Sequence, residues 1–554
     1  MASMLLLVSL LIFASFSQIE GSTIQNGIQS ACGLAQDPKF CYSSLIQVAE
    51  SSNAAPKDLC KIALEMSIAE ANVVDGFIPR SRRSSRDSKQ NQAIEDCKQL
   101  YDLTLDYLTE SLSKLTNSGV NSVKWSEAVD IQSFLSAALT NQATCLDGLK
   151  EANANLRSFS FTNHIINASR SVSNSLALIK KFWIAGKSSQ EPSVHNRRLL
   201  SNGDDFQRQY GSVDDGFPSW LSRSDRRRLL QTSNDDILAG DVVTVANDGS
   251  GNYTMITEAI SAAPNKSADR YVIHIKAGVY EEYVEIPKYK TNIMLIGDGM
   301  DVTVITGNRS VVDGWTTFHS ATVVAVGQGF LARDITIENT AGAVKHQAVA
   351  LRVGSDLSAF YRCSFKGYQD TLYAHSLRQF YKECDIYGTV DFIFGNAAVV
   401  FQNCNLLARK PMDNQQNLYT AQGRTDPNQN TGTSIHKCNV TAAPDLFPVI
   451  SSFPTYLGRP WKNYSRTVYM QSYLDSVIQP AGWLEWSGDF ALATLYYGEY
   501  ENEGPGAGTG NRVQWSGYHS AMEASDAQNF TVSTFISGES WLSAAAVPFD
   551  AGLV

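Results

Sequence analysis

A short phrase recurs about every 20 residues in the second half of this 554-residue chain. It reads Phe330-(x3)-Asp334-Ile335, Phe360-(x2)-Cys363-Ser364, Phe380-(x3)-Cys384-Asp385 and Phe401-(x2)-Cys404-Asn405, and the last three copies begin 20 and 21 residues apart. The runs around it are short and β-branched, such as Val242–Val245, Tyr271–Ile275 and Thr322–Val326, and Gly, Asn and Asp bound them. A period near 20 with strands this short specifies a stacked solenoid, because one repeat cannot bury its own apolar face and must lie on the next. The expected fold over 237–554 is a right-handed parallel β-helix, an all-β solenoid whose coils stand about 4.8 Å apart.

In such a fold, polar residues one period apart become neighbours. Asp370 and Asp391 are 21 residues apart, and Gln347 and Gln369 are 22 apart. Two acids and two amides are thereby expected on one face. Carboxylates at that distance cannot both ionise easily, so one pKa rises and the other falls. The first suits a general acid, the second a nucleophile or base, and the paired amides suit an oxyanion. Tyr373, Phe394, Trp461 and Trp483 lie in or near the same polar stretches and suit a groove on which sugar rings stack. Arg459, bracketed by Gly458 and Pro460, belongs on a loop, either pairing a catalytic carboxylate or facing solvent.

The first half differs. Residues 28–185 carry apolar residues at helical spacing in four segments, for example Leu100, Leu103, Leu108, Leu112 and Leu115, and an all-α four-helix-bundle pro-domain is expected. Cys32 and Cys41 can close a short loop and Cys97 and Cys145 can staple two helices, which leaves Cys60 unpaired. Residues 186–236 lose all periodicity and read as a linker. It holds Arg197-Arg198-Leu199-Leu200 and Arg226-Arg227-Arg228-Leu229-Leu230, where a processing protease is expected to cut at Arg197/Arg198 or Arg227/Arg228, giving a mature chain from near Gln231.

Residues 1–22 contain a twelve-residue apolar run, too short to span a bilayer and suited to a signal peptide. Seven Asn-x-Ser/Thr sequons agree with secretion. Residues 1–230 hold 24 Lys+Arg against 23 Asp+Glu and 231–554 hold 21 against 32, so the net charge of −10 resides in the solenoid. That balance argues against nucleic acid or an anionic membrane as a partner after processing. The cysteines show no zinc-ligand spacing, and no metal or other cofactor is expected.

Five motifs in order, Gly278-Val279-Tyr280-Glu281-Glu282, Gln347-Ala348-Val349-Ala350-Leu351, Tyr368-Gln369-Asp370-Thr371-Leu372, Asp391-Phe392-Ile393-Phe394-Gly395 and Leu457-Gly458-Arg459-Pro460-Trp461, resemble those of plant pectin methylesterases over residues 240–550. The helical region and its cysteines resemble the inhibitor domain that precedes many of these enzymes. The resemblance implies hydrolysis of C6 methyl esters of homogalacturonan pectin to pectate and methanol in the cell wall. It makes Asp391 the nucleophile and Asp370 the acid and then base. Gln369 and Gln347 become the oxyanion site, Arg459 orients Asp391, Trp461 lines the sugar subsite, and Thr317 contacts substrate. An inhibitor protein is a further expected partner. For disulfides in the solenoid, Cys384–Cys404 is the favoured pair, with Cys404–Cys438 and a ladder of free thiols as alternatives. A lyase would need a calcium cluster and a polygalacturonase several grouped acids, whereas here two acids are flanked by glutamines. A pro-region acting chiefly as an inhibitor or chaperone is the non-enzymatic alternative.

Overall fold

The computed structural model describes residues 25–52, 57–84, 87–120, 122–152, 162–184, 242–545 and 547–554. The expected signal peptide, the linker and the basic pairs Arg197/Arg198 and Arg227/Arg228 lie outside these residues. The chain divides into two compact units, Met1–Val194 with Thr425–Asn430, and His195–Arg424 with Thr431–Val554.

The first unit is helical. Four long helices, Asp58–Ser84, Ser88–Asn117, Trp125–Glu151 and Thr162–Ile179, each pack against two of the others, and Pro38–Ser52 precedes them. Their apolar spacing turns one stripe of each inward, so Leu64, Leu100, Leu108, Ile131, Leu135 and Leu176 are fully buried. The second long helix starts where the Asp87 carboxylate accepts the Gln90 N–H at 2.8 Å. Disulfides join Cys32 to Cys41 and Cys97 to Cys145, and Cys60 is a buried free thiol. Among the described residues no helix is long and apolar enough to cross a membrane.

The second unit is built from three parallel sheets of 11, 7 and 8 strands, and successive strands of each sheet come from successive coils. Among the described residues, seven successive coils between Tyr271 and Gly458 each contribute one strand to each sheet, the arrangement of a parallel β-helix. The interior is a column of Val, Ile, Leu and aromatic side chains, including Ile273, Leu295, Phe330, Phe360, Phe365, Phe401 and Tyr469. The short helix Ile256–Ala262 adds Ile256, Ala259 and Ile260 to one end of this column. A C-terminal segment lays Val532, Phe535, Ile536 and Leu542 against the outer face of the 11-stranded sheet.

Two expectations are corrected here. The repeat aligns Phe380 with Phe360 and Phe401, but the ladder pairs Phe360 with Tyr381 and Tyr381 with Phe401. The Tyr381 ring stacks at 4.6 Å from each, whereas Phe380 faces outward into the Phe535 cluster. Side chains alternate between faces along a strand, so a shift of one residue moves the ring from core to exterior. Each stacked pair is worth about 0.5–1.5 kcal/mol beyond burial.

The second correction is Cys384–Cys404. Cys363, Cys384, Cys404 and Cys438 do stack on consecutive coils, each one residue before register-matched Ser364, Asp385, Asn405 and Asn439, yet all four are free and buried. Equivalent side chains on neighbouring coils run parallel, near the strand spacing of about 4.8 Å, which exceeds the roughly 3.5–4.5 Å between Cβ atoms that a disulfide requires. Instead the Cys384 N–H donates to Cys404 Sγ at 3.4 Å. Thiol titration should therefore find five reactive thiols in the unfolded, unreduced chain and essentially none in the native one. A count of three after unfolding would restore a bridge in the ladder.

Candidate active site

The 7-stranded sheet carries the polar cluster. Its strands Leu351–Val353, Leu372–Ala374 and Ile393–Gly395 pair in register, Leu351 with Leu372 and Leu372 with Ile393. Leu351, Leu372 and Ile393 point into the core, so the next residues, Arg352, Tyr373 and Phe394, form a row on the outer face. Tyr373 and Phe394 stack at 4.1 Å, and the Trp461 ring meets Phe394 edge-on at 6.0 Å. Phe318, next to Thr317, lies under the Arg352 guanidinium at 3.4 Å and edge-on to His375 at 5.7 Å. Burial, with Arg352 nearby, pushes His375 down to about 3, so this imidazole stays neutral and carries no proton to a reaction.

Two residues ahead of each central strand stand Asp370 and Asp391, equivalent positions on adjacent coils. Both turn the corner with positive φ, 62° and 51°, a conformation that Asp tolerates better than most side chains. Adjacent-coil hydrogen bonds fix these corners, from Asp370 N–H to the Val390 carbonyl at 3.0 Å and from Ala348 N–H to the Gln369 carbonyl at 3.2 Å. The last bond places Gln347 and Gln369 on neighbouring coils beside the acids, both half-buried. The Asp pair, the two glutamines, Arg459, Trp461 and the loop of Thr317 thus all border the outer face of one sheet.

Arg459 follows the strand Thr455–Gly458 and is anchored by its own N–H on the Thr420 carbonyl. Its Nε and Nη2 donate to the two carboxylate oxygens of Asp391 at 2.9 and 2.7 Å, a bidentate pair. The alternatives left open by the sequence resolve in favour of pairing. Burial pushes the Asp391 carboxyl above the ordinary carboxylate range, and Arg459 pulls it only part of the way back. The expectation that the nucleophile candidate has the lowered pKa is therefore corrected: with Asp391 only 6% exposed, desolvation outweighs its cation. Burial also works against the Arg459 charge, but the attraction of Asp391, with a further contribution from Asp370, holds it protonated.

One expected groove aromatic is misplaced. Trp483 is 1% exposed inside the core, stacked on Tyr497 at 4.1 Å with its N–H on Glu499. The exposed ring is Trp486, three residues on, 38% exposed and covered on one face by the Arg459 guanidinium at 4.3 Å. The spacing Trp483-(x2)-Trp486 across Leu484 and Glu485 held that signal, an apolar and a polar flank, but it does not say which ring faces in. Among the described residues no group of three or more His, Cys, Asp or Glu could hold a metal ion.

Gly395 ends the strand that follows Asp391. Its φ is +124°, and a Cβ there would stand 2.1 Å from the Ala374 carbonyl oxygen of the adjacent coil. Gly395→Ala is expected to destabilise the solenoid by about 2–4 kcal/mol, through forced backbone movement and an unfavourable φ. Urea unfolding followed by aromatic fluorescence measures it, and an unshifted midpoint would mean that this strand end is not tightly packed against Ala374.

Comparison with known proteins agrees with this geometry. Residues 242–539 match the family model "Pectinesterase" and residues 26–178 match "Plant invertase/pectin methylesterase inhibitor". The chain is 49% identical over 550 residues to Pectinesterase 2 of Citrus sinensis, covering 99% of both chains. It is 48% identical over 542 residues to Probable pectinesterase/pectinesterase inhibitor 20 of Arabidopsis thaliana, covering 94% of this chain and 93% of that one. Among solved structures, the pectin methylesterase from carrot is 62% identical, with a TM-score of 0.57 over 58% of this chain and all of that one. A corner that presents two register-matched carboxylates, one clamped by arginine, thus sits in a chain that belongs to the pectinesterase family, with an inhibitor-family domain ahead of the enzyme.

Proposed function

We propose that Asp391 is the nucleophile and Asp370 the proton donor and then acceptor in hydrolysis of the C6 methyl esters of homogalacturonan. The bidentate Arg459–Asp391 pair, one coil from Asp370, carries this reading. Arg459 fixes the Asp391 carboxylate plane and each oxygen keeps a lone pair not engaged by the guanidinium. One of them attacks the ester carbonyl carbon, and the side-chain amides of Gln347 and Gln369 donate to the oxygen that gains charge. The carbonyl re-forms as the C–O bond to methoxide breaks, and Asp370 gives its proton to the leaving oxygen, releasing methanol. A mixed anhydride of Asp391 remains. Asp370, now ionised, takes a proton from water, whose oxygen attacks the galacturonyl carbon of the anhydride. Expulsion of the Asp391 carboxylate yields the free uronic acid, which loses its own proton to solvent, and the proton taken from water resides on Asp370.

Trp461, Trp486 and the Thr317 loop, backed by the buried row Arg352, Tyr373 and Phe394, supply the surface along which the polysaccharide lies. The N-terminal apolar segment directs secretion to the cell wall. A protease cutting at one of the two basic clusters separates the helical domain, which inhibits or chaperones the enzyme until then. The helical domain gives an inhibitor protein a template for binding the same enzyme.

Methanol release from highly methylated pectin, by the full chain and by a chain beginning at Gln231, tests the assignment. Asp391→Asn is expected to lose at least about four orders of magnitude in kcat, since it removes the attacking group. Activity of that variant within ten-fold of the parent would sink the nucleophile assignment. The pH profile tests the electrostatics. Because burial raises Asp391, the acid limb of kcat/KM is expected above the ordinary carboxylate value of 3.8. Arg459→Gln removes the group that lowers Asp391, so the limb should move further up. A limb that moves down or stays fixed contradicts the pairing.

A further inference from the structure

A second cleft lies on the 8-stranded sheet, away from the sheet that bears the acids. Its floor is a register-matched row, Glu338, Lys366 and Tyr387, on the outer face of strands whose Ile337, Phe365 and Ile386 fill the core. The turns Asn339–Gly342 and Ala443–Asp445 wall it, and Tyr368 and Arg409 close one side, enclosing about 540 Å³. That volume falls within the roughly 300–1,000 Å³ of small-ligand sites.

The lining has a particular chemistry. Lys366 Nζ donates to Asp301 Oδ1 at 2.5 Å and stands 5.6 Å from the centre of the Tyr387 ring, with two further donors to offer. Arg409 stacks on Tyr368 at 3.9 Å and donates to the Gly367 carbonyl at 3.0 Å, to Tyr368 Oη at 2.8 Å and, through Nε, to Asp445 at 3.4 Å. Three of its five N–H groups are thereby used and two remain. Glu338 accepts from Thr306 at 2.9 Å through one oxygen and keeps the other. Two cations, two phenol rings and two carboxylates of partly open capacity do not suit a polyphosphate, which the acids would repel, nor an acyl chain, which the charges would exclude. They suit a sugar acid. Its carboxylate answers Lys366 and Arg409, its hydroxyls answer Glu338, Asp445 and the Tyr387 hydroxyl, and its ring lies along a tyrosine.

We propose that this cleft is a second binding site for unesterified galacturonate stretches, separate from the catalytic face. The idea rests on the esterase reading for the origin of the ligand, since each turnover converts a neutral ester into the uronate that this cleft fits. The segment Gly367-Tyr368-Gln369-Asp370 joins the two sites, with Tyr368 lining the cleft and Asp370 at the catalytic corner two residues later. A chain held here by its de-esterified part keeps its esterified remainder near Asp391. Substrate already partly converted is then retained.

The test is calorimetric titration of the full chain with unesterified trigalacturonate, alongside Lys366→Gln and Tyr387→Ala variants. Neither residue belongs to the catalytic set, and methanol release from a short methylated oligomer, together with the thermal unfolding midpoint, reports whether each variant folds. The parent is expected to show a binding event that persists in Trp461→Ala, weakens at least ten-fold in both cleft variants, and is absent with neutral maltotriose. The cleft variants should keep kcat on the short oligomer within two-fold while KM on long, half-esterified pectin rises several-fold. Trigalacturonate binding that vanishes entirely in Trp461→Ala, equal affinity in parent and cleft variants, or equal binding of maltotriose would each overturn the proposal. A parent that binds the trimer at the cleft but releases no methanol would instead count against the esterase mechanism and leave the cleft standing.

Discussion

Hydrogen bonding of each coil to the next, in parallel and in register, is the constraint on which everything else in the solenoid depends. It fixes the separation of equivalent residues at the strand spacing, about 4.8 Å, and gives them parallel side chains. At that distance Asp370 and Asp391 take equivalent places on adjacent coils, and three aromatic rings, Phe360, Tyr381 and Phe401, stack on one another. The same spacing keeps Cys384 and Cys404 apart as thiols. One geometric rule therefore decides an active site, a core column and the absence of a covalent bond.

Electrostatics at the site follow from where the ladder places Asp391. The corner leaves it 6% exposed, and burial penalises its charge. A bidentate arginine from two coils on offsets only part of that penalty. The result is a carboxylate that is held in one orientation and is more basic than an exposed one. Arg459 also covers one face of Trp486, so the residue that orients the Asp391 carboxylate helps hold a ring of the surrounding surface.

Much of this was legible in the sequence because the information was periodic. The spacing of 21 between Asp370 and Asp391 carried the fold and the acid pair together, and the ordered motifs carried the family. Where the signal was a single residue rather than a spacing, it failed. Phe380 and Tyr381 are adjacent aromatics, and only the Cys363–Cys384 spacing of 21, not residue type, points to Tyr381 as the partner of Phe360. Trp483 and Trp486 differ in side-chain direction, which depends on loop geometry at the end of the coil. The lowered pKa expected for Asp391 treated charge pairing as the deciding effect, and the degree of burial that reverses it is a property of the packed structure alone.

The positive φ at the two aspartates is a property of the architecture and not a catalytic device. Positive φ also occurs at Asp334, Arg362, Glu383, Asn403 and Lys437, each just before the register-matched row of the 8-stranded sheet. At each of these, the corner N–H donates to a carbonyl of the following coil, from Arg362 to Lys382, Glu383 to Gln402 and Asn403 to His436, as Asp370 donates to Val390. A conformation costing about 1–2 kcal/mol per residue persists at every one because the ladder on both sides over-determines it. The corners of Asp370 and Asp391 are thus ordinary corners of the solenoid. What distinguishes them is that the side chain turned outward there is a carboxylate on two successive coils, so the chemistry arises by placing acids at positions whose geometry the fold already supplies.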